Sequence, residues 1–354
     1  MNVLVDSCPE LGVRNSQPEG IGRVVALTGM CAWNNLGRNV VFADRGFRAL
    51  AVVGETFFPD DDEPSQYDLD VHAILELPEH DLVFVVNHLG LVRMLRASAR
   101  RRPGPLRPVE PIGTVTFVGD AERIVTVGDR LVCSRPRSQR APGLLVSQPV
   151  PGAPDGACLD VDAQAEHLGE VTALTSWPEL GGSIAAGGEG RVSLAPLTGG
   201  VVGPPRWQAE VGFRPAVLER PHGQEWAAGS KRKATEIGDY DWEEVRGGGF
   251  VGLDPDDGRV VVEGRFTADL AWGNGGVAVV MFAGMVCGIS RTGGLSLFRA
   301  DTGEAVAATD PIAAHPLGIA HAGVVGDHLL VGWNRGGYRL HAFPAAATAR
   351  AHPR

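Results

Sequence analysis

Seven polar residues stand a few positions ahead of short apolar runs: Glu19, Asp70, Glu110, His167, Arg214, Asp269 and His315. Gathered round one cavity, such carboxylates, imidazoles and a guanidinium could hold a polar substrate. His167, Asp269 or His315 would then be the acid or base, and Glu19, Asp70, Glu110 and Arg214 the binding groups. The same side chains could ligate a metal, but no spacing in the chain has the form of a metal site and none is assigned. The plainer expectation is that polar residues ahead of strands end turns and meet solvent.

Motifs that would add a reaction are absent. There is no G-K-[ST] and no H-E-x-x-H. Gly288-Ile-Ser-Arg-Thr-Gly misses the nucleophile-elbow spacing by one residue, and Gly20-Ile-Gly22 lacks the third glycine of a dinucleotide loop. The cysteines, at 8, 31, 133, 158 and 287, form no C-x-x-C. Their odd number and wide gaps read as reduced thiols in the cytoplasm. No cofactor follows from any of these residues.

A second kind of chemistry is adhesion. The insertion Gly229–Gly248 joins Lys231-Arg232-Lys233 to Glu236, Asp239, Asp241, Glu243 and Glu244, with Trp226 and Trp242 flanking the charges. Two aromatic anchors beside mixed charge suit a protein contact. Lys231 and Lys233 are the only lysines among 32 basic residues. Pro59–Asp70, with its acidic run Asp60–Glu63, and the proline-rich Arg135–Glu166 read as further long surface loops.

The elements that must position these groups are strands. Of 354 residues, 48 are Gly and 25 Pro, while 44% are hydrophobic. That is enough to build a core and too much for a disordered chain. A net charge of −10 argues against a general nucleic-acid binder, and the basic segment Arg93–Arg107 lacks aromatics for base stacking. The longest apolar run, Val277–Ile289, is too short to form a membrane-spanning helix. Met1–Asp6 has no basic or long apolar leader, so no secretory signal is expected.

Helical periodicity is confined to short pieces near Asp162–Leu168 and after Pro344. Short β-rich runs bounded by Gly, Asp and Asn recur instead. They fall into groups whose first strands begin near 24, 71, 115, 171, 217, 270 and 319, about 49 residues apart. A period of roughly 40–50 residues with several strands each predicts an all-β, seven-bladed β-propeller. The expected domain is 1–344 with a tail at 345–354. Asn2–Val5 is expected to close the ring as an outer strand of the last unit. Trp33, Trp177, Trp272 and Trp333 are expected to pack between blades or at the rim.

Two stretches resemble quinoprotein-like propeller repeats: Gly249-Phe-Val-Gly-Leu-Asp-Pro-Asp-Asp-Gly-Arg-Val-Val-Val-Glu and Gly294-Leu-Ser-Leu-Phe-Arg-Ala-Asp-Thr-Gly-Glu-Ala-Val. Glu166-His167 with Ala185-Ala-Gly-Gly-Glu-Gly-Arg-Val-Ser-Leu resembles a WD40 repeat without its Trp-Asp ending. The resemblance implies the fold. The tryptophan that closes quinoprotein repeats is missing after Gly258 and Gly303, so it implies no cofactor. The functional expectation is a binding scaffold for a protein or small polar partner. The competing expectation is an enzyme of lyase, cyclase or hydrolase type working on a small polar metabolite at the channel mouth.

Overall fold

The computed structural model describes residues 10–11, 21–35, 40–44, 49–53, 71–87, 91–97, 107–108, 113–117, 123–134, 143–152, 157–159, 161–177, 182–188, 190–219, 225–234, 243–266, 270, 272–273, 276–277, 279–282, 284–290, 294–308, 320–325, 328–333 and 340–344. Strand β1 (Glu10–Leu11) precedes a first sheet of β2 (Ile21–Leu27), β3 (Met30–Asn35), β4 (Val40–Ala43) and β5 (Ala49–Val53). The second sheet holds β6 (Val71–Leu77), β7 (Leu82–Asn87), β8 (Leu91–Arg96) and, past β9 (Arg107–Pro108), β10 (Gly113–Phe117). The third holds β11 (Arg123–Val127), β12 (Arg130–Ser134), β13 (Leu144–Pro149) and, past β14 (Ala157–Leu159), β15 (Val161–Ala165). The fourth holds β16 (Ala173–Trp177), β17 (Ser183–Gly188), β18 (Arg191–Thr198) and, past β19 (Val201–Val202), β20 (Trp207–Glu210).

The fifth sheet is β21 (Arg214–Glu219), β22 (Glu225–Ala234), β23 (Glu243–Leu253) and β24 (Val260–Phe266). A small hairpin, β25 (Trp272–Gly273) with β26 (Gly276–Val277), leads to a sixth sheet of β27 (Val279–Phe282), β28 (Met285–Ile289), β29 (Leu295–Arg299) and β30 (Ala305–Ala308). The seventh is β31 (Ala320–Val325), β32 (His328–Trp333) and β33 (Leu340–Pro344), with β1 added antiparallel to β33. Two-residue turns make the first hairpins of sheets one and three. Gly29 and Gly128 supply the positive φ that such turns need.

Burial on both faces explains the apolar runs. Along β7, Val83 and Val85 join Met30, Val40 and Phe42 of the first sheet, while Leu82, Phe84 and Val86 join Ile124, Leu131 and Leu145 of the third. The same slab recurs between sheets three and four, four and five, and five and six. Trp177, fully buried, and Trp207 fill the slab between sheets four and five. First strands touch in a fixed order: β2 on β6, β6 on β11, β11 on β16, β16 on β21, β21 on β27, β27 on β31, and β31 on β2.

The outer edges are covered by a recurring device. The connection ahead of a sheet's last strand reaches back to the last strand of the sheet before it. In the second sheet that connection adds β9 parallel to β5, and in the third it adds β14 parallel to β10. In the fourth, β19 lies against β15. In the fifth, the turn Asp254–Arg259 meets Trp207, whose indole N–H donates to the Pro255 carbonyl at 2.9 Å. In the sixth, the turn reaching Gly303 sits on the Glu263 backbone. The last two turns are twins. The Gly258 N–H donates to Asp254 O and the Gly303 N–H to Arg299 O, both at 2.9 Å, and both glycines have positive φ. Asp257 Oδ1 accepts from the Arg259 N–H as Thr302 Oγ1 accepts from the Glu304 N–H.

Several expected boundaries move. Val115 lies in β10 and pairs with Val92, so the strand expected to open a third unit is the last strand of the second sheet, and the third sheet starts at Arg123. Leu270 makes only an isolated bridge to Ser290, and the sixth sheet starts at Val279. At 115 a long connection inside the second sheet mimics the gap between repeats, and at 270 the connection between sheets five and six carries the β25–β26 hairpin ahead of the first strand. Arg135–Glu166 is not one surface loop but carries β13, β14 and β15. The helical piece near Asp162–Leu168 is a strand followed by the short 3-10 turn Glu166–Leu168. Asn2–Val5 lies outside the described residues, and the strand that pairs with β33 is Glu10–Leu11.

The aromatic slab yields a stability test. The Phe250 and Phe266 rings lie tilted with centroids 5.6 Å apart. Phe298 meets each of them edge to face at 5.3 Å, the arrangement aromatic pairs prefer. A methyl group at Gly264 would overlap the Phe250 ring. Gly264→Ala should lower unfolding free energy by about 1–3 kcal/mol through overpacking, read as a denaturant midpoint. Exposed Arg265→Ala should stay within about 0.5 kcal/mol; equal effects would show that the triad does not hold the sheets.

Candidate functional site

The structure collects polar side chains where the first strands of sheets three, four and five begin. Arg123, opening β11, donates from Nε to the Thr172 carbonyl at 2.9 Å. Thr172, just ahead of β16, donates its hydroxyl to the carbonyl of Pro215 in β21. Arg214, opening β21, forms a short ion pair with Glu170 through its Nη2. The Glu170 side chain is 12% exposed and that of Arg214 22%, so this pair is only partly screened by water. Gly188 leaves no room for a side chain beside the Glu170 carbonyl. The strand start Glu170–Thr172 is thus clamped by an arginine from each neighbouring sheet.

The opposite ends of the first strands are tied as well. Glu76, near the end of β6, accepts the Thr28 N–H on Oε2 at 2.6 Å, and the Thr126 hydroxyl donates to the Glu76 carbonyl at 3.4 Å. These contacts fasten the turn of sheet one and the first strand of sheet three to sheet two. Their chemistry is bracing across neighbouring sheets, although Glu76 Oε1 is buried without a hydrogen-bond partner among the described residues.

His167 and Arg214 are the two expected site residues whose side chains are described, and their partners differ. His167 is exposed in the turn after β15, and its ring lies 3.0 Å from the Gly203 carbonyl through Nε2. A carbonyl only accepts, so that nitrogen carries the proton and ties the β18–β20 connection to the turn. Glu19, Asp70, Glu110, Asp269, His315 and Trp242 lie outside the described residues. Arg123, Glu170 and Thr172 are not among the residues that the sequence pattern singles out. Glu170 stands three residues ahead of β16, the position that the rule of a polar residue before each first strand would pick once the strand start is set at Ala173. Among the described residues, no three His, Cys, Asp or Glu side chains come together as metal ligands.

The thiols sit apart from these contacts. Cys31, Cys133 and Cys287 lie buried on β3, β12 and β28. Burial pushes Cys31 and Cys287 up to about 12, with the Asp44 charge adding to the effect at Cys31. Neutral, enclosed thiols are poor nucleophiles.

The charged insertion is paired backbone. Arg214 is level with Ser230 and Gly248 with Phe266, so β22 and β23 are flanked by β21 and β24 only up to those residues. Beyond them Arg232 faces Val245, Lys233 faces Glu244 and Ala234 faces Glu243, a two-stranded ribbon that overshoots its sheet. It leaves from the end where Arg214 stands. Trp226 faces Glu219 and Gly252, at the far end of β22 from Lys231-Arg232-Lys233.

Known structures share this arrangement of sheets. The chain is similar to the β-propeller domain of Myceliophteria thermophila Cps50 (Swd1), with TM-score 0.61 and 10% identity over 95% of this chain and 99% of that one. It is similar to the WD40 domain of Neurospora crassa Pan2 at TM-score 0.61 and 10% identity, over 95% and 94%. The fold is that of a WD40-like β-propeller. The computationally designed Ika8 protein is a further likeness, with TM-score 0.52 and 11% identity over 92% of this chain and 97% of that one. No family model and no curated protein matches the chain. Among the described residues of this propeller, no helix is long and apolar enough to cross a membrane.

Two outcomes follow. In a double-mutant cycle, Arg214→Met and Glu170→Gln should couple by about 1–3 kcal/mol, because either change alone strands a partly buried charge; strictly additive effects would reduce the pair to a surface contact. For Cys31 and Cys287 the folded pKa lies above the ordinary 9.0, so their contribution is complete below pH 9 and drains away as the pH climbs towards 12. Each should remove about 1.4 kcal/mol of stability per pH unit in that window. Cys287→Ala should flatten the alkaline fall in denaturation midpoint relative to the parent; parallel curves would contradict a buried, neutral thiol.

Proposed function

We propose that this chain is a non-catalytic scaffold in the cytoplasm: a seven-bladed propeller, fastened by β1 against β33, that holds a protein partner. The partner sits at the face from which the β22–β23 ribbon projects. The observation that carries this reading is the register of that ribbon, which continues pairing past the last residues its neighbours can cover. A hairpin that only completed a blade would turn back at Ser230 and Gly248. Likeness to WD40 domains supports the same reading, since the flanks of such blades are committed to one another and recognition falls to the strand ends. The sequence of first-strand contacts that returns from β31 to β2 supports seven blades in a ring.

The bracing roles of Arg214, Glu170 and Thr172 favour this over a reaction centre at the channel mouth. The test is recovery of the native complex from source cells with the full chain, followed by cross-link mapping. Replacing 231–246 with a tight Asn-Gly turn should reduce partner recovery at least tenfold, while His167→Ala should leave it unchanged. The reverse pattern would move the site to the channel mouth and end the scaffold reading.

A further inference from the structure

The ribbon has two edges of opposite charge. Lys231-Arg232-Lys233 lie on β22 and Glu243-Glu244 on β23; Lys233 faces Glu244, Arg232 faces Val245, and the register shifts between Ser230 and Arg232, at Lys231. Beyond Ser230 and Gly248 neither arm has a second partner strand among the described residues. A strand edge without a neighbour presents backbone N–H and C=O groups that another chain can pair with. The chain's basic residues are otherwise arginine, and its only two lysines fall on this one edge.

The charges discriminate between occupants. A symmetric pair of copies joined through β22 would set Lys231-Arg232-Lys233 against itself. Joining through β23 would set Glu243-Glu244 against itself. Like charges directly opposite are unfavourable in a sheet, and a two-fold interface is self-complementary by construction. Either symmetric dimer is therefore disfavoured, while an extended segment carrying carboxylates matches the β22 edge in both backbone geometry and sign. We propose that Lys231–Ala234 is a docking edge that takes an added strand from an acidic segment of another protein. This rests on the scaffold reading and names the chemistry of its partner.

The two lysines make the test specific. The probes are three twelve-residue peptides: alternating Thr and Glu, its Thr and Lys counterpart, and the Glu peptide with proline at alternate positions, which cannot donate ladder hydrogen bonds. With the full-length protein at low salt, the Glu peptide alone should bind, more weakly as salt rises. The bound state should slow hydrogen exchange at the 231–234 amides. Carbodiimide coupling should join its carboxylates to Lys231 and Lys233, with the N-terminal amine as internal reference. K231E/K233E should weaken binding at least tenfold, and K231Q/K233Q should fall between it and the parent.

Equal binding of the Lys or proline peptide would overturn the proposal, as would indifference to charge reversal or protection at other amides. Absence of binding by the Glu peptide would overturn it too. If the native complex still depends on the ribbon while these peptides fail, the acidic-strand proposal falls and the scaffold reading stands. If the complex ignores the ribbon, the scaffold reading falls whatever the peptides do.

Discussion

A strand such as Leu82-Val-Phe-Val-Val is apolar on both faces, and that single fact dictates most of this molecule. One face can be buried in any two-layer protein, but the other then needs a third layer. Here each sheet is the middle layer for its neighbours: Val83 and Val85 face one way, Phe84 and Val86 the other. Fully burying each large apolar side chain contributes roughly 1.5–3 kcal/mol, so a bare face would be expensive. A row of such sheets has two bare ends. In this chain β31 touches β2, and β1, from ahead of the first sheet, pairs with β33.

Faces and edges raise separate problems. Stacking covers faces but leaves the outermost strand of every sheet with unpaired backbone groups. The reach-back connections answer that, by parallel strands at β5 and β10, by β19 at β15, and by turns at Trp207 and Glu263. With faces stacked and those edges occupied, the strand ends are what the stacking leaves uncovered. It is at such an end that β22 and β23 outgrow their neighbours.

The period of the apolar runs was legible because two-sided burial forces unbroken hydrophobic strands. Val71–Leu77, Leu82–Asn87 and Leu91–Arg96 are readable to the residue. The errors at 115 and 270 differ in cause: at 270 the connection between sheets five and six carries its own hairpin, β25–β26, while at 115 the connection lies inside sheet two. A long connection inside a repeat looks the same in sequence as one between repeats, and only pairing partners such as Val115 with Val92 tell them apart. Asp254–Gly258 and Asp301–Gly303 were legible as kindred turns because Asp257 and Thr302 each supply a side-chain acceptor and Gly258 and Gly303 the positive φ. Val115 carries no such local signature of the strand it will join.

The candidate site was less legible, for a reason visible at Glu170 and His167. Both are polar and both precede β16, so spacing alone cannot rank them. Their fates are decided by residues far away in sequence: Arg214 for Glu170, the Gly203 carbonyl for His167. A polar residue at a strand start has two possible uses, bracing the next sheet or facing a ligand, and the first consumes the hydrogen-bonding capacity that the second requires. Arg123, Thr172 and Glu170 are engaged in the first, as is Arg214 through Nη2, while its buried Nε has no hydrogen-bond partner among the described residues. The ribbon differs because its backbone outruns its neighbours, leaving an edge that no described strand pairs with.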